Sequence, residues 1–176
     1  PILEKLQYLE VKRDRNIEVL ILVPTRELAV QIDEVIRSFT SNLKREIRSM
    51  AVYGGVSINP QMKGMLGVEI LIATPGRLLD LIEHKALSIS QIKHLVIDEA
   101  DKMFQMGFDE EVNSIIALLP KHKQTTLFSA TLNDKVDEMK SRLKIDPILI
   151  EIQKEELDLD KIIQKAYHVS AETKGP

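Results

Sequence analysis

His94-Leu95-Val96-Ile97-Asp98-Glu99-Ala100-Asp101 is the stretch on which the reading of this chain turns. Its apolar run, Leu95 to Ile97, stops at Asp98, Glu99 and Asp101 and so crowds carboxylates at one strand end. A continuous apolar run bounded by polar residues predicts a strand buried on both faces, and open parallel sheets bind ligands just beyond such C-terminal strand ends. A hard cation such as Mg²⁺ favours one or two carboxylates completed by water and phosphate oxygens. Asp98 is therefore placed to hold a metal and Glu99 to polarise a water. The same acids also suit a plain helix N-terminus, where negative charge complements the macrodipole. Taken by itself, the stretch leaves both readings open.

Upstream, Val19 to Val23 predicts a second fully apolar strand, which Pro24-Thr25-Arg26-Glu27-Leu28 turns into a helix. The buried stripe of that helix is expected at Leu28, Ile32, Val35, Ile36 and Phe39. Thr25 suits the N-cap, so the free amides of the first turn, with Arg26 beside them, form a candidate phosphate site. An ordinary cap next to a surface arginine is the alternative. Val68 to Ala73 predicts another strand, and Thr74-Pro75-Gly76-Arg77 repeats the device, with Pro75 suited to the first helical position ahead of Leu78, Leu79, Leu81 and Ile82. Two such turns on one sheet edge favour phosphate binding. Between them, Met50 to Tyr53 predicts a short strand ending in Gly54-Gly55, either a plain turn or a place where another backbone approaches closely. The chain opens on Ile2, Leu3, Leu6 and Leu9 at helical spacing, followed by a charged loop over 11–16.

Downstream of the acids, Phe108, Val112, Ile115, Ile116 and Leu119 form the core stripe of an amphipathic helix ended by Pro120. Thr125 to Phe128 predicts a strand ending in Ser129-Ala130-Thr131, whose hydroxyls land beside the carboxylates. A helix capped by Asn133 follows, with Val136, Met139 and Leu143 inward. Ile148 to Ile152 predicts a further strand. Residues 153–176 read as a polar linker and, from Lys165 to Ser170, the first strand of a second domain, which leaves 1–152 as one domain.

Composition narrows the function classes. The 176 residues suffice for one domain with a real core, built mainly from Leu, Ile and Val because aromatics are 4%. Without cysteine there are no disulfides or thiolate metal sites, which is compatible with a reducing cytoplasm. No apolar run approaches the roughly 18 residues of a membrane span, and no signal peptide is visible, so a cytoplasmic protein with no membrane partner is expected. A net charge of −3 argues against wrapping nucleic acid by bulk positive charge, so any such site must be local. Lys44, Arg45 and Arg48, and Lys121 to Lys123, are either such local patches or solvated faces. His84, His94, His122 and His168 are dispersed, without metal-ligand spacing.

Pro24-Thr-Arg-Glu-Leu28, Gly54-Gly55, Thr74-Pro-Gly-Arg77, Asp98-Glu-Ala-Asp101 and Ser129-Ala-Thr131, in this order, resemble the motifs of the DEAD-box ATP-dependent RNA helicases, specifically their first RecA-like domain. The likeness runs from about residue 17 to 170 and includes Lys102 to Phe108 directly after the acids. It implies an α/β fold, a RecA-like parallel β-sheet flanked by helices on both faces, working with ATP and Mg²⁺. It implies that Asp98 holds Mg²⁺ through water, that Glu99 positions the water attacking the γ-phosphate, and that Asp101 links to Ser129 and Thr131 to couple hydrolysis with domain closure. It also implies that Thr25, Arg26, Gly55, Thr74, Gly76 and Arg77 contact the RNA sugar-phosphate backbone, with little sequence preference.

The chain departs from the family pattern in one respect. No G-K-T or G-K-S occurs in the 176 residues, and the family's phosphate-cradling loop and adenine-recognising segment would precede residue 1. The chain by itself is therefore expected to be catalytically inactive and at most a weak RNA-binding module, with a second RecA-like domain as its partner in the parent protein. The absent loop's strand would lie between those at Thr125–Phe128 and Ile148–Ile152, which should then stand roughly 9–10 Å apart with a vacancy between them.

Overall fold

The computed structural model describes residues 1–8, 16–131, 134–143 and 147–152. The chain divides into two units, Pro1–Ile145 and Asp146–Pro176. The first carries a parallel sheet of strands β1 (Val19–Leu22), β2 (Ser49–Val52), β3 (Ile70–Ala73), β4 (His94–Ile97) and β5 (Gln124–Leu127) in the order β2-β3-β1-β4-β5. In register, Leu22 lies between Ala73 and Ile97, and Ile97 pairs onward with Leu127, so these strands finish level with one another. Their C-terminal ends form a single edge of the sheet.

The continuous apolar runs have the physical cause expected of a parallel sheet, since successive side chains meet helices on opposite faces. On one face Leu20, Leu22, Leu71, Leu95 and Ile97 are buried under helices α4 (Pro75–Glu83), α5 (Ala100–Gln105), α6 (Asp109–Leu118) and α7 (Asp134–Leu143). On the other, Val19, Val23, Ile70 and Ile72 pack with Leu6 of α1 (Ile2–Gln7) and Ala29 of α2 (Arg26–Thr40). The short helix α3 (Ile58–Gly64) joins β2 to β3, packing Ile58 and Met62 against the first face. This is the expected α/β arrangement. The stripe Val112, Ile115 and Leu119 is buried, as are Val136, Met139 and Leu143.

Two expectations fail. On α2, Val35 and Phe39 are 53% and 63% exposed, while Ala29 and Asp33 are buried beside the half-buried Leu28, Ile32 and Ile36. The arc touching the sheet is centred on Ala29, Asp33 and Ile36, which leaves Val35 and Phe39 on its solvent side. Asp33 sits in this arc because Ser49 donates a 2.6 Å hydrogen bond to it and Arg37 pairs with it at 2.8 Å. Hydrophobicity alone mispredicts the face because a satisfied polar group can replace an apolar one.

Ile148 to Ile152 forms no strand, and Ile148, Ile150 and Ile152 are each more than 80% exposed. An apolar run becomes a strand only where a ladder partner completes its backbone hydrogen bonds, and among the described residues none does so. The expected spacing between two strands thus has no second strand to refer to; among the described residues β5 pairs with β4 alone. The charged loop over 11–15, the Asn133 cap, the linker and the strand expected over Lys165–Ser170 lie outside the described residues.

Candidate functional site

The strand ends divide into two neighbouring groups. The turns after β1, β2 and β3 surround a cleft of about 420 Å³, and the turns after β4 and β5 hold the acids and hydroxyls.

The cleft is lined by Pro24, Thr25, Arg26 and Glu27 from the first turn, Gly54 from the second, and Thr74, Gly76, Arg77 and Asp80 from the third. Five of the six residues expected to meet RNA thus share one cleft. The sixth, Gly55, adjoins it through Gly54 and has φ +79°, a left-handed conformation that a side chain would strain. A Cβ at Gly54 or Gly76 would meet no atom within 4 Å, so the backbone at both positions is open to a ligand.

Thr25 caps α2 as expected, its hydroxyl accepting a 3.2 Å bond from the Leu28 amide. Thr74 stands at the N-cap of α4 in extended backbone, yet its hydroxyl makes no cap bond, and the turn is set by Pro75. With the Leu28 amide taken by Thr25 and Pro75 carrying no N–H, the first-turn amides without intrahelical acceptors are those of Arg26 and Glu27 in α2 and of Gly76 and Arg77 in α4. The two arginines differ. Arg26 is exposed and lies over the Tyr53 ring at 5.0 Å. Arg77 is only 8% exposed; one terminal nitrogen donates to the Val56 carbonyl at 2.8 Å and Nε pairs with Asp80 at 3.4 Å. Its other terminal nitrogen, Nη1, is buried without a protein partner among the described residues, which leaves a cation at the cleft with donor capacity to spare.

In the acidic group, Asp98 accepts a 2.9 Å bond from the Glu99 amide. Burial pushes its carboxyl above the ordinary range, the Glu99 charge adds to the rise, and the amide bond opposes it. Glu99 is a half-exposed residue with φ +49° and ψ +49°, paired with Lys102 at 3.2 Å. Left-handed backbone at a non-glycine residue is strained, and such strain gathers at functional positions.

Asp101 is buried in the first turn of α5 and accepts a 2.8 Å bond from the Thr131 hydroxyl. Burial works to raise its pKa, but hydrogen bonds from Thr131, Ser129 and the Lys102 and Ala130 amides outweigh it, so the carboxyl lies below its usual range. The single Ser129 hydroxyl proton is shared between Asp101 and the Thr131 carbonyl, which lies 2.7 Å from Oγ, and this draws the loop after β5 onto the acid.

The basic clusters are largely occupied. Arg45 forms a buried ion pair with Glu69, Arg48 bonds the Leu66 carbonyl, and Lys123 bonds the Pro120 carbonyl. Sequence reasoning overlooked other cleft residues: Glu27 and Asp80, which bring carboxylates to it, and Met106 and Phe108, which bring apolar surface. For Met106 the available signal was the match over Lys102 to Phe108, noted without a role, and for Glu27 its place within Pro24 to Leu28; Phe108 reads from the sequence only as core.

The DEAD/DEAH box helicase family model matches residues 1–139. The chain is 39% identical over 155 residues to the RNA helicase CrhR of a Synechocystis species, covering 88% of this chain and 31% of that protein. It is 40% identical over 175 residues to the DEAD-box ATP-dependent RNA helicase CshA of Streptococcus pneumoniae, covering 99% and 32%. Its fold is similar to that of the yeast DEAD-box splicing factor Prp28, with a TM-score of 0.74 at 30% identity over 80% of this chain and 34% of that one. The chain spans about a third of the length of these curated relatives.

Proposed function

The chain belongs to the DEAD/DEAH box helicase family, and from that membership we propose that it serves as the first RecA-like domain of an ATP-dependent RNA helicase that unwinds short duplexes. The observation that carries this reading is the juxtaposition of two sites on one sheet edge. A cleft with open glycine backbone and two arginines borders a carboxylate cluster, because β1, which feeds the cleft, pairs directly with β4, which feeds the acids.

In this reading Thr25, Arg26, Gly55, Thr74, Gly76 and Arg77 hold the sugar-phosphate backbone of RNA. Contacts of that kind position a strand without reading its bases. Glu99 orients the water that attacks the γ-phosphate of ATP, and Asp98 holds Mg²⁺ through water. The donor set fits such an ion. Asp98 offers hard carboxylate oxygen at a strand end, the donor type that such a cation takes beside water and phosphate oxygens. When bound, the ion would neutralise charge developing on the transferred phosphoryl group. Asp101, gripped by Thr131 and Ser129, links the acids to the loop after β5, and that link supports a coupling of hydrolysis to closure against a second RecA-like domain.

We place 1–152 in this domain, with 153–176 as linker and the beginning of the next one. No helix among the described residues is long and apolar enough to cross a membrane. We place the protein's work in the cytoplasm, with which the absence of cysteine is compatible.

A second reading concerns the chain in isolation. The 176 residues hold no G-K-[ST] loop, so by themselves they would bind RNA weakly without catalysis. RNA-stimulated ATP hydrolysis, measured on this chain and on the chain joined to a phosphate-loop segment and a second RecA-like domain, tests both readings. Activity only in the joined protein is the expected result. Hydrolysis by the chain alone would overturn the second reading, and none in the joined protein would overturn the first.

A further inference from the structure

We propose that Met106 is an apolar contact for the sugar or base of a single RNA strand whose phosphates lie in the cleft, an inference that rests on the RNA-binding reading above. Met106 lines the cleft and is 49% exposed, on the turn that follows α5. That turn is rigid. The Gly107 amide bonds the Phe104 carbonyl at 3.1 Å and the Phe108 amide bonds the Met103 carbonyl at 3.1 Å, with Gly107 at φ +82°. This is the paired bonding of a Schellman cap, and its apolar clasp is present too, since Met103 is fully buried and Phe108 packs against the same core. A flexible thioether is thus carried on a fixed backbone at the wall of a cationic cleft.

A surface methionine by itself is unremarkable among exposed apolar residues. Its position gives it meaning, because a nucleotide has an anionic half and an apolar half. Arg26, Arg77 and the first-turn amides of two helices provide for the phosphate, whereas Glu27 and Asp80 would repel it. Met106 and Phe108 provide the cleft's apolar side. Phe108 is committed to the core, which leaves Met106 as the side chain free to cover a ribose or base. A thioether adapts to any flat or curved partner, so it adds affinity without selecting a sequence.

The test uses the 176-residue chain and a fluorescent ten-nucleotide oligouridylate, with anisotropy recorded across a salt series. Met106→Ala should weaken binding roughly 3–10-fold, in keeping with the loss of a half-buried apolar side chain, at an unchanged salt slope. Met106→Leu, which conserves volume, should restore it. Arg26→Ala should lower the slope by about one, the mark of a lost phosphate contact. If the oligonucleotide binds and depends on Arg26 but is indifferent to Met106→Ala, this inference fails and the RNA reading stands. If Met106→Leu is as weak as Met106→Ala, the contact is not apolar packing and the inference also fails. If the unaltered chain shows no binding, both fail.

Discussion

The Thr131 hydroxyl donates a 2.8 Å hydrogen bond to Asp101 Oδ2, tying the loop after β5 to the first turn of the helix after β4. Two residues 30 positions apart in sequence thereby close the acidic end of the sheet into one unit.

This bond has a consequence for stability against pH. Asp101 has its pKa depressed in the folded chain, so its contribution is fully present above the unfolded value of 3.8 and is lost as pH falls through the lower folded value. Thr131→Ala should cost about 1–2 kcal/mol at neutral pH, as expected for a hydrogen bond to a charged, buried acceptor. Urea denaturation at pH 7 and again in acid well below the unfolded value of 3.8, where folded Asp101 is also protonated, checks it. A cost that does not shrink in acid would mean the bond to ionised Asp101 is not its source.

Glu99 should show opposed demands of stability and chemistry. Glu99→Gly removes the penalty of a left-handed non-glycine residue and should stabilise the fold by about 0.5–1 kcal/mol, since the exposed pair with Lys102 contributes little. In a protein that carries the phosphate loop, Glu99→Gln should leave RNA and nucleotide binding nearly intact while slowing hydrolysis roughly 10²–10⁴-fold. Hydrolysis at the original rate would remove Glu99 from its proposed role.

The two cleft arginines should separate in the same pair of assays. Arg77→Ala should destabilise the fold by about 1–2 kcal/mol, because the Val56 carbonyl and Asp80 lose their partner, while Arg26→Ala should change stability by less than about 1 kcal/mol. Replacing both should flatten the salt dependence of RNA binding. Thermal denaturation and salt titration of the single and double variants would detect the reverse assignment, with Arg26 as the structural residue.

Ser49→Ala should be costly for so small a change. It deprives the buried Asp33 of a 2.6 Å hydrogen bond and leaves Arg37 as its remaining side-chain partner, at an expected cost of about 1–3 kcal/mol. Ser49→Ala combined with Asp33→Ala should cost less than the sum of the singles, because the unsatisfied carboxylate is then gone. Strict additivity in denaturation midpoints would show that the two side chains do not act together.

Much of this protein is written locally in its sequence. The runs at Val19, Ile70 and His94 become strands because buried parallel strands need apolar side chains on both faces, and Thr25 and Pro75 start helices because caps and fixed φ act within a single turn. Motif order likewise foretold which residues gather at the strand ends. Other features depended on neighbours distant in the chain. Asp33 displaces Val35 and Phe39 from the buried arc of α2 because Ser49 happens to face it, and Ile148 to Ile152 forms no strand because it finds no ladder partner among the described residues. The order β2-β3-β1-β4-β5, the left-handed turn at Glu99 and the arrival of Met106 beside Arg26 and Arg77 are likewise absent from any local pattern. Periodicity sets which face of an element is apolar; the tertiary fold decides what that face meets, because pairing and packing join residues far apart in the chain.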